Sequence, residues 1–169
     1  MFYWKGFLLE MKAAGLSDIK KELEHLQQKE LLELCISLAK YKKDNKEYLG
    51  FLLFESHDKL QFMKEVKNEI DAHFEEVKLQ ANLYYVKKSL RKLLRIITKY
   101  TKYVDDKGLS AEMHIYFCLK LKNSGIPYHK SQMLVNLMDG QIKKINTLMT
   151  TLHPDLQNDY LQDLEKIMN

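Results

Sequence analysis

Apolar residues recur along most of this chain with the three- and four-residue spacing of amphipathic helices. The spacing predicts helices over residues 18–27, 29–42, 46–55, 57–80, 83–104, 110–122 and 128–152, the last with a break at residues 139–140, and a final helix that begins at Pro154. Turn-forming residues separate the segments, and Ser17, Ser56 and Ser110 are predicted to cap three of the helices. With only two prolines and six glycines, the sequence favours helices over a turn-rich β fold.

The predicted fold is all-α, a single domain of seven or eight helices in antiparallel hairpins. A length of 169 residues is that of one ordinary domain. Residues 48–54 and 115–121 are apolar on nearly every side, which is typical of helices buried in the middle of a fold. A helical bundle and a short α-solenoid both stay open, because the pattern of Leu31, Leu34, Leu38, Lys40 and Tyr41 recurs weakly within residues 90–100.

Residues 1–15 are predicted to be an apolar N-terminal extension to the helical domain at residues 16–169. The extension lacks the cleavage site of a secretory signal and contains Phe2, Tyr3, Trp4, Phe7, Leu8 and Leu9. Three interpretations stay open: a segment packed on the core, a loosely held segment before a true start at Met11, or a membrane-surface anchor. No run of residues is long and apolar enough to be predicted to cross a bilayer.

The charge pattern of residues 83–104 gives the sequence its one candidate binding surface. This segment has seven basic residues and no acidic one. On a helix, one sector opposite the apolar side collects Lys88, Arg91, Lys92, Arg95, Lys99 and Lys102. Tyr84 falls within this sector, and Tyr85 and Tyr103 lie along its edge. Cations for phosphates and aromatic rings for bases predict a polyanion-binding surface suited to single-stranded nucleic acid.

The same basic face has a simpler interpretation. A charged helix face is often only solvated, and the preceding helix carries Asp58, Glu65, Glu69 and Glu76 along one flank. If the two helices form an antiparallel hairpin, these acids could meet Lys87, Arg91 or other cations along the seam. Such surface pairs contribute about 0–1 kcal/mol each, but they would partly neutralise the basic face.

No catalytic or metal constellation is recognisable. Cys35 and Cys118 each lie in an apolar run and are predicted to be reduced core cysteines of a cytoplasmic protein. His73, one turn after Glu69, could share a metal with it, but two ligands do not make a site, so a core histidine is expected. We therefore expect no enzyme activity, no cofactor and no metal.

The C-terminal third carries a continuous apolar stripe that would suffice for a homodimer as well as for packing. It consists of Leu134, Leu137, Met138, Ile142, Ile145, Leu148, Met149 and Leu152. The sequence also resembles a small uncharacterised bacterial protein family in residues 32–35, 38–49 and 152–160, a resemblance that covers most of the chain from Leu16 onward. That resemblance implies a helical fold in a bacterial cytosol and no known activity.

The expected function is that of a non-catalytic helical module that binds a protein partner. Nucleic-acid binding through the helix at residues 83–104 is the alternative. A salt-sensitive interaction with nucleic acid would separate the two.

Overall fold

The computed structural model describes residues 13–80 and 82–168, and every regular element in them is helical. The predicted all-α fold is therefore confirmed. The chain divides between Leu49 and Gly50 into two compact units. The α-helices are α1 (Leu16–Glu24), α2 (Gln28–Tyr41), α3 (Lys43–Gly50), α4 (Lys59–Lys78), α5 (Leu83–Val104), α6 (Lys107–Asn123), α7 (Gln132–Met149) and α8 (Pro154–Met168), with a π-helical turn at Phe51–Glu55 and a 3-10 turn at Tyr128–Lys130.

Helix α6 is the centre of the C-terminal unit. It packs against α4, α5, α7 and α8. Its buried apolar residues point in all directions around the helix axis and include Met113, Ile115, Phe117, Cys118 and Leu121. A helix with apolar side chains on every side can bury them only if other helices pack against it on every side. The predicted burial of residues 115–121 is confirmed for Ile115, Phe117, Cys118 and Leu121, whereas the other three residues are partly buried.

The helices around α6 alternate in direction. Helices α4 and α5 are antiparallel, since the Phe62 and Tyr100 rings meet at 5.5 Å at one end and the Gln80 side chain donates to the Ser89 hydroxyl at 3.2 Å at the other. Helix α8 runs parallel to α6, because the Tyr160 hydroxyl donates to the Gly108 carbonyl near the start of α6. The predicted antiparallel hairpin of α4 and α5 is confirmed.

Several helix ends differ from those predicted. The side chains of Asp58 and Asp106 accept hydrogen bonds from N–H groups in the first turns of α4 and α6, so these residues are the caps. The predicted caps lie elsewhere: Ser56 donates to the carbonyl of Leu52, and Ser110 lies inside α6. Ser17 likewise lies inside α1. Carboxylates accept from backbone N–H groups at least as well as hydroxyls do, so a nearby aspartate takes the cap. Helix α7 continues through residues 139–140 without the predicted break.

The predicted burial of the apolar segment at residues 48–54 is wrong. Helix α3 ends at Gly50, and in the π-helical turn that follows only Phe51 is buried, against the rings of Phe62 and Tyr103. Leu53 and Phe54 are 64% and 69% exposed. A single short turn presents one side to the core, so the other apolar side chains of the turn stay in solvent.

The N-terminal unit, within its described residues 13–49, contains three helices without a buried residue. Helix α2 in particular exposes Leu32, Leu34, Ile36, Leu38 and Tyr41. Cys35 is exposed as well, so its predicted burial is wrong, whereas the predicted burial of Cys118 is confirmed. Of the extension predicted at residues 1–15, residues 1–12 lie outside the described residues, and residues 13–15 are exposed and precede α1. Among the helices that are described, none is long and apolar enough to span a membrane.

The histidine in the core is His114 of α6, and the sequence had singled out His73 instead. His73 is only partly buried, and its Nδ1 lies 3.1 Å from the backbone carbonyl of Glu69. His114 has no exposed surface, and its ring nitrogens have no hydrogen bond of good geometry among the described residues, although the nearby Gln141 side chain favours the charged form of the ring. Burial and the nearby charge of Lys144 lower the pKa of His114 from 6.5 to about 4. The ring is therefore neutral at pH 7.

His114 should make the fold sensitive to acid. Because its folded pKa is about 4 and its unfolded value is 6.5, only the unfolded chain takes up this proton as the pH falls between those values. The stability is complete above pH 6.5 and falls below it, by roughly 3 kcal/mol in total. We expect urea denaturation of the His114→Leu variant to show a flatter decline than the wild type between pH 7 and pH 4. Parallel curves would contradict this assignment.

Candidate nucleic-acid interface

Helix α5 has the boundaries predicted for it and keeps its cationic face in solvent. Asn82 caps its first turn by accepting from the Tyr84 N–H, and Asp105, with φ of 49°, ends the helix in the left-handed conformation. Its buried side consists of Val86, Leu90, Leu93, Ile97, Thr101 and Val104. Because this side contacts the core, the opposite side must face outward.

Four cations of α5 surround a shallow depression of about 220 Å³, named here the Arg91 depression. Its lining among the described residues is Tyr84, Lys87, Lys88, Arg91 and Arg95. None of these residues is acidic, and the two arginines are the only ones in the chain. Guanidinium groups bind phosphate oxygens in pairs, which lysine cannot do. The structure thus concentrates the chain's best phosphate ligands in one place.

The remaining predicted site residues are distributed around this depression. Lys92 and Lys102 are exposed but do not line it, and Lys102 lies at a second depression shared with α7. The Lys99 ammonium lies over the ring of Tyr100, 4.9 Å from its centroid. The Tyr103 ring packs 5.9 Å from that of Phe51 and is partly buried, so it is not part of the basic surface.

Sequence reasoning placed Lys87 on the seam with α4, whereas it lines the Arg91 depression. Its ammonium lies 2.9 Å from the sulfur of Met133 in α7. Lys87 is therefore on the flank of α5 that faces α7. A helical wheel of α5 alone shows the angle of Lys87 but does not say which neighbour lies there, so this residue could not have been found from the sequence.

Among the described residues, no acid of α4 forms an ion pair with a cation that lines the Arg91 depression. Lys67 of α4 pairs with Glu112 of α6, and Asp71 of α4 pairs with Lys120 of α6 at 2.8 Å. Burial raises the pKa of Asp71, but hydrogen bonds from Lys120 and Tyr116 outweigh it, so the net pKa is lowered.

Among the described residues, none of the five cations Lys88, Arg91, Lys92, Arg95 and Lys102 forms an ion pair. The predicted pairing along the seam of α4 and α5 is therefore not found for these residues.

The other expected surfaces have ordinary roles. No group of three histidine, cysteine or carboxylate side chains is placed to hold a metal in the described part of the chain, Glu69 and His73 included. The apolar stripe of α7 is used inside the molecule, where Leu134, Met138, Ile145 and Met149 are buried. The other four residues of the stripe are only partly buried, and dimerisation stays a prediction.

Comparison of the chain with protein-family models, curated proteins and solved structures finds no match. The resemblance of residues 32–49 and 152–160 to a bacterial family therefore stays a prediction, as does the expected absence of enzyme activity.

The crowding of cations on α5 should cost stability. Arg91, Arg95 and Lys99 follow one another at four-residue spacing, and like charges at this spacing destabilise a helix by about 0.2–0.5 kcal/mol per pair. Arg95→Glu replaces two repulsions by two attractions. We expect this variant to unfold at a higher temperature, with a gain of about 1 kcal/mol. Lys64→Glu is the control, because this exposed residue of α4 has uncharged neighbours four residues away and one cation, Lys67, three residues away, so its gain should be smaller. A less stable Arg95→Glu variant would contradict the expectation.

Proposed function

We propose that the protein binds nucleic acid through the α5 basic surface, defined as Tyr84, Lys87, Lys88, Arg91, Lys92 and Arg95. The observation that carries this proposal is the Arg91 depression, whose charged lining is wholly cationic and contains both arginines. The arginines remain unpaired within the described structure although the chain has 23 acidic residues. Cations that repel one another and form no ion pair within the described structure are expected on a surface that binds an anion.

The aromatic residues favour a single strand over a duplex. Tyr84 is 63% exposed and lines the depression beside the cations. The Tyr85 ring lies next to it, with centroids 5.5 Å apart, and is exposed too. Exposed rings offer stacking platforms to unpaired bases, which a duplex does not present. The exposed rings at the start of α5, followed by the cations along the helix, therefore fit a strand with a base on Tyr84 and its phosphates on Arg91 and Arg95.

Fluorescence anisotropy with labelled single-stranded and double-stranded DNA and RNA, measured across salt concentrations, tests the proposal. Contact of about four phosphates predicts a slope of roughly −3 in log K against log salt for a single strand. Arg91→Lys keeps the charge but loses the paired hydrogen bonds, so affinity should fall several-fold with the slope unchanged. Arg91→Glu combined with Arg95→Glu should abolish binding.

Two results would contradict nucleic-acid binding. One is the absence of binding at low salt. The other is an equal loss of affinity in Lys64→Glu, a charge reversal on α4 away from the depression. Either would mean that the α5 basic surface is merely solvated.

The exposed apolar side of α2 favours a second candidate function, binding of a protein partner. Leu34 and Leu38 are exposed one helical turn apart, with Cys35 beside them. Contiguous exposed apolar side chains are a common mark of a protein interface. The partner that this surface fits is another apolar helix, and the α2 of a second copy offers one. A reducing, cytoplasmic setting is part of this proposal, since Cys35 is an exposed thiol.

Thiol labelling measures whether α2 is covered. Cys35 should react rapidly with an aromatic disulfide reagent in dilute protein, while Cys118, whose pKa burial raises to about 12, should react only on unfolding. If a second copy covers α2, labelling of Cys35 slows as the protein concentration rises, and Leu34→Lys restores the fast rate. A rate that does not change up to millimolar protein would exclude self-association through α2.

A further inference from the structure

A second depression, of about 230 Å³, lies between α5, α6 and α7 and is named here the Lys144 depression. Each helix contributes one lysine to its lining: Lys102 from α5, Lys107 from α6 and Lys144 from α7. Lysines that meet from three different elements are a product of the fold, unlike the cations that follow one another along α5.

These lysines do not form direct ion pairs within the described part of the protein. Lys144 is partly buried, and its burial together with the neighbouring charge of Lys102 lowers its pKa. A partly desolvated ammonium close to a second one is unfavourable, and an anion bound between them would remove that cost.

Uncharged donors complete the depression. Ser110 is a buried residue whose hydroxyl forms no hydrogen bond with the described residues, and it lines the depression with Thr98. Lys107 is the first residue of α6 and lines the depression, whereas the N–H groups of Leu109 and Ser110 already donate to Asp106. Ammonium and hydroxyl groups are donors that phosphate oxygens accept from.

Two carboxylates share the depression and limit what it can hold. Asp106 is engaged as the cap of α6, where it accepts from the Leu109 N–H at 2.9 Å, and Asp105 ends α5. With three lysines and two aspartates, the lining has a net charge of one positive unit. A compact anion that contacts the lysines while avoiding the carboxylates fits this arrangement better than an extended polyanion.

We propose that the Lys144 depression binds a phosphate monoester group, held by Lys102 and Lys144 with Ser110 as a hydrogen-bond donor. The group could be carried by a small phosphorylated molecule or by the 5′ end of a nucleic-acid strand. Lys102 lies on the same helix as the α5 basic surface but outside that surface, and the site does not depend on it, because a free phosphate ester makes the same contacts. Recognition of the phosphate group depends on Lys144 of α7, and the α5 basic surface contains no residue of α7.

The test compares Lys144→Gln with Lys143→Gln, two equal charge changes at adjacent residues of α7. Lys143 is exposed and does not line the depression. Binding of adenosine monophosphate and of inorganic phosphate is followed by shifts of the backbone amide resonances of residues 107–110, with chloride at matched ionic strength as the blank. We expect saturable shifts in the wild type and in Lys143→Gln, and at least a tenfold loss of affinity in Lys144→Gln.

Further measurements identify the source of the phosphate and check the fold. A 5′-phosphorylated oligonucleotide that binds more tightly than its 5′-hydroxyl counterpart, only when Lys144 is present, would support a strand end. Binding of adenosine monophosphate, together with equal affinity for the 5′-phosphorylated and the 5′-hydroxyl oligonucleotide, would support a small phosphorylated molecule as the ligand. Lys144→Gln should unfold no earlier than the wild type without phosphate, since it removes an uncompensated charge. Phosphate binding that survives in Arg91→Glu separates this site from the nucleic-acid proposal.

Two outcomes would overturn the proposal. One is equal weakening by Lys143→Gln and Lys144→Gln, which would show a general charge effect. The other is a wild-type response to phosphate that matches the response to chloride.

Discussion

The all-round burial of α6 is the constraint on which the C-terminal unit depends. Its side chains from Met113 to Leu121 need apolar neighbours in every direction, and four helices supply them. Each of those helices can give only one stripe to α6, so its opposite stripe must face solvent or another partner. The outward position of Arg91 and Arg95 is therefore a consequence of the packing of Leu90, Leu93 and Ile97 beneath them.

The charged groups of the bundle fall into two sets, those that form ion pairs with other described residues and those that do not. Around α6, lysines and acids are matched, as in the contact of Lys120 with Asp71 and Tyr116 at the seam with α4. On α5 the cations Lys88, Arg91, Lys92, Arg95 and Lys102, and at the facing edge of α7 the cation Lys144, form no ion pair with the described residues. Exposed ion pairs would add little stability in any case. Arg91 and Lys144 belong to this second group. The two unmatched regions lie along one flank of the bundle, where α5 faces α7.

The sequence predicts features that depend on a single helix, whereas it does not predict features that depend on contacts between helices. The limits of α5 follow from periodicity and were right, because a wide apolar stripe has one stable orientation. The burial of Ile115, Phe117, Cys118 and Leu121 follows from a segment that is apolar on every side. The exposure of Phe54 was missed because burial there depends on how many neighbours reach a short turn. The role of His114 and the meeting of Lys102 with Lys144 involve residues far apart in sequence, and no spacing along the chain encodes such contacts.

The absence of buried side chains in α1, α2 and α3 has a consequence for cooperativity. Helices that bury little apolar surface gain little free energy from order, so their backbone amides exchange hydrogen through local openings. Amides at Leu90 or Phe117 exchange only when the bundle opens, because these side chains have no exposed surface. One chain thus has two exchange regimes. A ligand bound to α5 would slow exchange at these amides of the bundle.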